Sequence, residues 1–381
     1  MIVLDFTRLL PGPLATYILA HLGFEIIKVE DTKGSDITRY TPPFTEWGES
    51  SVFSFLNAGK KSIAVDLKTD EGVEIARKLA QKSDVIVEGF RPGVMKKLGL
   101  DFDNIKKINP KIVYCSISGY GQDGQYSQKS GHDINYIALS GILKLFVSEN
   151  LAVVPGVQIA DISGAIFAVI GILSKLLERE RDKNFSGYHI DISMTETSLF
   201  FGVESLSKFL VSKSEPEPFG EVLTGGVICY NLYKTKDGKW VSIGALEPKF
   251  WENLTKALGL DLLPSDAMSK PSEKNEAYIK LREKILSLTS EELDSILSKY
   301  DIPYEFVRSY SEAISHNVIR ERKLFYSIEE NGKKLELLKL PFMKEVKNIS
   351  PTLGQHTTEI LNKIGYSDQK IHELRQKGVI L

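Results

Sequence analysis

Gly23-Phe24-Glu25-Ile26-Ile27-Lys28-Val29-Glu30 is the stretch on which the reading of this chain turns. Before it, Leu14–Leu22 has apolar residues at helical spacing, and Gly23 supplies the stop. The residues after Gly23 are a short apolar, partly β-branched run, which predicts a strand. Upstream, Ile2–Phe6 is another short apolar run, separated from the helix by Pro11-Gly12-Pro13. The same unit recurs as strand Ser62–Leu67, helix Asp70–Gln81, strand Asp84–Val87 and, after breaks at Gly99 and Pro110, strand Lys111–Ser118. Strands alternating with helices at this spacing predict an α/β fold, a Rossmann-like parallel sheet with helices on both faces.

The 381 residues exceed one compact core and predict about two domains. With 42% hydrophobic and 26% charged residues, the composition is that of an ordinary globular protein. A net charge of -2 argues against a nucleic-acid surface. The two cysteines, Cys115 and Cys229, are far apart and lack a CxxC partner, so neither a metal site nor a disulfide framework is indicated. No basic n-region precedes Ile2-Val3-Leu4, and no apolar run is read as reaching the ~18 residues of a span. The expectation is a cytoplasmic protein without a membrane partner.

Further along, Ile162–Leu177 reads as a very apolar helix opened by Asp161, followed by strand Tyr188–Met194 and helix Thr195–Leu210. Ser212–Pro218 shifts to Ser, Glu and Pro, a linker composition. Beyond it, Tyr230–Lys234 and Trp240–Gly244 flank Lys236-Asp237-Gly238-Lys239 as a hairpin. Helices Trp251–Leu258, Glu273–Leu288 and Glu291–Tyr300 follow, with Thr289 and Glu292 spaced as a capping box. The expected layout is a large domain over residues 1–211, a linker over 212–224, and a small α+β domain over 225–322. Residues 323–381 would return to complete the large domain, with Thr358–Leu381 as amphipathic helix.

Ligands of parallel sheets sit beyond the carboxyl ends of the strands. Candidates there are Asp66-Leu67-Lys68, Glu88-Gly89-Phe90-Arg91, and Gly119-Tyr120-Gly121 leading to Gly131-His132. Lys68 and Arg91 are either phosphate contacts or solvated surface charges. Neither GxxxxGK[ST] nor GxGxxG stands between strand and helix, which disfavours a nucleoside triphosphate or NAD. The long loop Asp31–Glu49 is a candidate cover for a site. Gly131-His132-Asp133-Ile134-Asn135-Tyr136 places an imidazole and free backbone N–H groups at a helix start, where developing negative charge is best received. By itself this is equally a polar cap before a core helix. Asp161 is either an N-cap or a catalytic carboxylate.

Several stretches together resemble the family III CoA-transferases (CaiB/BaiF), and within them the α-methylacyl-CoA racemase branch. They are Asp5-Phe6-Thr7-Arg8 with Pro11-Gly12-Pro13, Lys28-Val29-Glu30, Lys61-Ser62 with Asp66-Leu67-Lys68, and Glu88–Met95. Ser118-Gly119-Tyr120-Gly121 and Leu353-Gly354-Gln355-His356-Thr357 extend the likeness over nearly the whole chain. The branch is carried by Gly131–Tyr136, Asp161 and Gly244–Phe250. Departures are Asp31 where an arginine is frequent, Val157 where an asparagine is common, and only five methionines.

The resemblance implies a homodimer of two interlocked rings, with each active site between the large domain of one chain and the small domain of the other. It implies an acyl-CoA thioester as substrate, coenzyme A entering only as part of it, and no permanently bound cofactor. Val65, Asp66, Leu67, Lys68, Arg91, Gly131 and Tyr136 would bind CoA. His132 and Asp161 would be the two bases flanking the α-carbon, and Glu247 would orient the imidazole. The backbone N–H of Asp133 would receive the enolate oxygen, while its side chain capped its own helix. The alternatives are CoA transfer with Asp161 as nucleophile, and an acyl-CoA-binding protein without turnover.

Overall fold

The computed structural model describes all 381 residues. Six strands, β1 (Ile2–Asp5), β2 (Glu25–Glu30), β3 (Lys61–Ala64), β4 (Val85–Glu88), β5 (Val113–Ser118) and β6 (Tyr188–Ser193), form one sheet in the order 3-2-1-4-5-6. Every pairing is parallel. The residues explain this: β4 and β5 are buried along their whole length, as strands covered on both faces must be. Leu4, Ile27, Ile63 and Ile86 contribute to a core shared with helix Asp70–Lys82 and two C-terminal helices. Helices Pro11–His21 and Ile159–Arg181 pack together on the sheet.

The chain divides into two compact units. The larger holds Met1–Ile142, Pro155–Gly202 and Glu321–Leu381, and the smaller holds Leu143–Val154 and Val203–Arg320. The division at Val203 falls inside the helix expected over Thr195–Leu210. That helix is broken into Met194–Leu199, a 3-10 turn Phe200–Gly202, and Val203–Ser212. Nothing in Val203–Ser212 is buried. In the smaller unit, strands Tyr230–Lys234, Trp240–Gly244 and Tyr304–Phe306 form an antiparallel sheet. Its core gathers Trp251, Leu254, Leu281, Leu293 and Leu297. The Thr289/Glu292 capping box is present.

Several expectations are corrected. Helix Ile159–Arg181 has 23 residues and an 18-residue window of mean hydropathy 1.8, 44% of it buried, so one helix does meet the length and hydropathy of a span. The sequence reading began it too late. Its Gly164 lies against Met194, where a Cβ would come within 2.8 Å of Met194 Cγ. The C-terminal tail is two helices, Thr357–Lys363 and Asp368–Gln376, because Gly365 interrupts it at φ +92. Asn331-Gly332, both at positive φ, turn the unpredicted hairpin Phe325–Glu330/Lys333–Leu338, and this dipeptide is itself a hairpin signal. The loop Asp31–Glu49 contributes no residue to the main cavity of the larger unit, and its Asp36 is buried in an ion pair with Lys28.

Candidate active site

The cavity lies within the larger unit, at the carboxyl ends of β1, β4 and β5. The β1/β4 boundary is where the strand order reverses, the place where open parallel sheets leave a crevice. The cavity has a volume of about 520 Å3. Its walls come from Thr7–Leu9 after β1, Gly89–Pro92 after β4, Ser118–Tyr120 after β5, the segment Ser127–His132, and Asp161.

His132 is the N-cap of the short helix Asp133–Leu139. Its backbone N–H donates to Asn135 Oδ1 at 3.0 Å, and its ring is exposed along the cavity wall. Tyr136 is buried one turn on, and its hydroxyl donates to the Gly131 carbonyl at 2.5 Å. The ring leaves no room beside it: a Cβ at Gly119 would sit 2.3 Å, and one at Gly131 2.7 Å, from Tyr136 Cε1. Burial raises the Tyr136 phenol to about 12, so it serves as a donor and wall.

Asp161 is in the first turn of helix Ile159–Arg181, whose N-cap is Gln158. It is therefore not the cap. That role belongs in part to Asp133, whose Oδ1 accepts the N–H of Ala160 at 2.6 Å and of Asp161 at 3.0 Å. The expectation that Asp133 caps its own helix is thus corrected: its carboxylate satisfies orphan N–H groups of the neighbouring helix and ties Asp161 to the His132 segment. As the first helical residue after its N-cap, Asp133 has a backbone N–H without an intrahelical acceptor. Burial raises the Asp161 carboxyl to about 6, the Asp133 charge adds to the rise, and His132 opposes it.

Of the residues singled out in the sequence, Arg91, Gly131, His132, Tyr136 and Asp161 line this one cavity. Val65, Asp66, Leu67 and Lys68 follow β3 and do not. Val65 and Leu67 pack into the core, Val65 bridges Ile380, Asp66 N–H donates to the Val379 carbonyl, and Lys68 is exposed. Glu247 is the exposed N-cap of helix Pro248–Leu258 in the smaller unit, and its side chain makes no cap bond. Among the lining residues to which the sequence reading gave no role are Arg8, Lys129 and Asn135. Asn135 stands at capping-box spacing from His132, a usable signal. Arg8 directly follows a strand end; Lys129 carries no signal. Arg8, Arg91 and Lys129 have no carboxylate within ion-pair distance, and Arg8 stacks on Phe90 with Cζ 5.7 Å from the ring centroid. Behind the Arg91 loop, buried Glu88 accepts the Phe90 N–H at 2.8 Å, and burial pushes its carboxyl up to about 7.

A cavity with unpaired cations at its strand-end loops and a raised carboxyl beside an imidazole suits a phosphorylated carrier bearing a reactive acyl group. The model of the CoA-transferase family III matches residues 1–357. The chain belongs to the family III CoA-transferases. Among members, an alpha-methylacyl-CoA racemase of Mus musculus is 34% identical, covering 99% of this chain and 96% of that protein. A succinyl-CoA:glutarate CoA-transferase of Homo sapiens is 32% identical, covering 99% of this chain and 88% of that protein. The crystal structure of a CaiB/BaiF family protein from Brucella suis superposes with a TM-score of 0.84 at 27% identity, covering 96% of this chain and 98% of that one. Racemase and transferase relatives stand at similar identity, so family membership leaves the choice of reaction to the chemistry of the site.

Proposed function

We propose that this family III CoA-transferase member is a 2-methylacyl-CoA racemase that works by two-base proton transfer. One observation carries the reading: His132 and Asp161 line a single cavity from two different helix starts. One base takes the α-proton, and the C–H electron pair forms the enolate double bond while the carbonyl pair moves to oxygen. The other group then protonates the opposite face, and the electrons return. An acid/base group is most useful when it titrates near the working pH, and an Asp161 carboxyl raised to about 6 meets that demand. The Asp133 N–H would receive the enolate oxygen. Arg91, with Arg8 and Lys129, would hold CoA phosphates, and Lys68 would lie further along the carrier. In the proposed interlocked homodimer, the partner's Glu247 would approach His132 and orient its imidazole.

The competing reading is CoA transfer, supported by the identity to the glutarate transferase. There Asp161 would attack the thioester carbonyl, and the resulting anhydride would yield an aspartyl-CoA thioester and a free acid. Incubating a panel of 2-methylacyl-CoAs in D2O without any acid acceptor separates the two. The racemase incorporates deuterium at C2. Hydroxylamine-trapped adduct at Asp161 during turnover with an acceptor, with no deuterium in any thioester, would sink the racemase assignment.

A further inference from the structure

Beneath the cavity lie four buried charges that proton transfer does not use: Asp5, Lys28, Asp36 and Lys60, none more than 2% exposed. They form two ion pairs, Lys28 Nζ–Asp36 Oδ2 at 3.1 Å and Lys60 Nζ–Asp5 Oδ2 at 3.3 Å. Burying such pairs is costly, and an apolar replacement of similar size is often as stable, so stability alone is a weak reason for them. What they bind is more telling. Asp5 Oδ1 accepts the Thr7 N–H at 2.8 Å and the Thr7 hydroxyl at 2.5 Å. Lys28 Nζ donates to the Thr7 carbonyl at 2.8 Å. Asp36 Oδ1 accepts the Leu9 N–H at 3.4 Å and also takes the Thr38 hydroxyl at 2.7 Å. Thr7 is thus gripped at three atoms and Leu9 at one, leaving Arg8 between them.

The turn so held is not one the chain adopts freely. Leu9 has φ +67, a left-handed conformation that L side chains other than Asn and Asp rarely take. It is also 42% exposed, so apolar packing does not account for its conformation. Thr7, Arg8 and Leu9 all line the cavity, and Arg8 has no carboxylate partner of its own. We infer that the Lys28–Asp36 pair is a positioning device that holds the Thr7–Leu9 turn in its left-handed form and thereby presents Arg8 to an anionic group of the thioester substrate. Lys28 and Asp36 touch no substrate; they act through Arg8. The identity of that substrate rests on the proposed function, whereas the effect on the turn does not.

The test uses the full-length double variant Lys28→Met with Asp36→Asn, which removes both charges together and keeps an acceptor for the Leu9 amide. Three readouts are expected. KM for the acyl-CoA rises about tenfold with kcat within about twofold, the signature of lost binding rather than lost chemistry. Arg8→Ala, which alone raises KM comparably, adds less than about twofold in the double-variant background, as coupled residues do. Amide hydrogen exchange over Thr7–Leu10, read by mass spectrometry without ligand, accelerates at least tenfold relative to the remainder of β1. Asp36→Asn alone, should the double variant fail to fold, gives the same pattern with about a threefold rise in KM. A folded variant with unchanged exchange over Thr7–Leu10 overturns the inference, and so does full additivity with Arg8→Ala. Absence of CoA binding by the wild type would remove the proposed function and leave the exchange result to decide the turn.

Discussion

Two helix starts meet at the cavity, and they treat their ionisable side chains in opposite ways. At Asp133–Leu139 the imidazole of His132 stands exposed, its backbone fixed through Asn135. At Ile159–Arg181 the carboxyl of Asp161 is drawn inward, where burial and the Asp133 charge hold it near 6. Asp133 belongs to the first helix and bonds to the second, so it is the hinge of the contrast. In the proposed two-base reaction, a carboxylate of ordinary strength would be a weak base, and the rise of Asp161 brings it towards the pH at which it both takes and returns a proton.

The sharpest way to break the pairing is to remove either member. His132→Ala and Asp161→Ala are each expected to lower deuterium incorporation at C2 by roughly 10²–10⁴-fold, the span of a lost general acid or base; mass spectrometry of the thioester measures it. In the proposed dimer, Glu247→Gln is expected to reduce the same rate roughly tenfold through the lost orientation of the imidazole. Asp133→Asn retains an acceptor for the Ala160 and Asp161 amides while removing a charge that raises Asp161. The limb on which activity is lost as pH falls through about 6 is therefore expected to move to lower pH in a rate-pH profile.

Stability carries a smaller signal of the same contrast. A folded-state carboxyl raised from 3.8 to about 6 contributes stability that is complete below pH ~4 and lost as pH rises through ~6. Asp161→Asn escapes that loss. After discounting for partial exposure, it should be about 1–2 kcal/mol more stable than the parent at pH 7 and no more stable at pH 4. Urea midpoints at the two pH values check this. The smallest effect is expected at the end of β3, where Lys68→Ala should weaken CoA binding less than about twofold in a calorimetric titration against roughly tenfold for Arg91→Ala.

Local pattern carried much of the fold. The parallel sheet was legible because Ile2–Phe6, Phe24–Glu30 and Lys111–Ser118 are short apolar runs set between punctuated helices. The hairpin Phe325–Leu338 was missed although Asn331-Gly332 announced it, because few of its residues are buried apolar ones, Ile328 in the first strand and Leu335 and Leu337 in the second. At the site, His132 and Asp161 could be named from neighbouring residues and the family likeness. That Asp133 caps the other helix could not, since the bond joins residues 27 and 28 positions apart and depends on how two helices pack. Lys129 reaches the cavity through a loop path that no periodicity describes. Val65 and Leu67 show the converse: residues of a strand-end motif whose side chains serve the core.

The long helix that bears Asp161 is also a lever. Near its far end, Arg179 Nη2 holds Asp84 Oδ1 at 2.9 Å, and Asp84 in turn accepts the Ile2 N–H at 2.7 Å. Between Arg179 and Asp161 the helix runs about 27 Å at 1.5 Å per residue. A tilt of only about 1° about that anchor would therefore swing the carboxyl by roughly 0.5 Å, the tolerance of a working acid/base group. If Asp161 acts as proposed, its aim is set partly at the amino ends of the central strands β1 and β4, so a substitution at Asp84 would spoil it without touching the cavity.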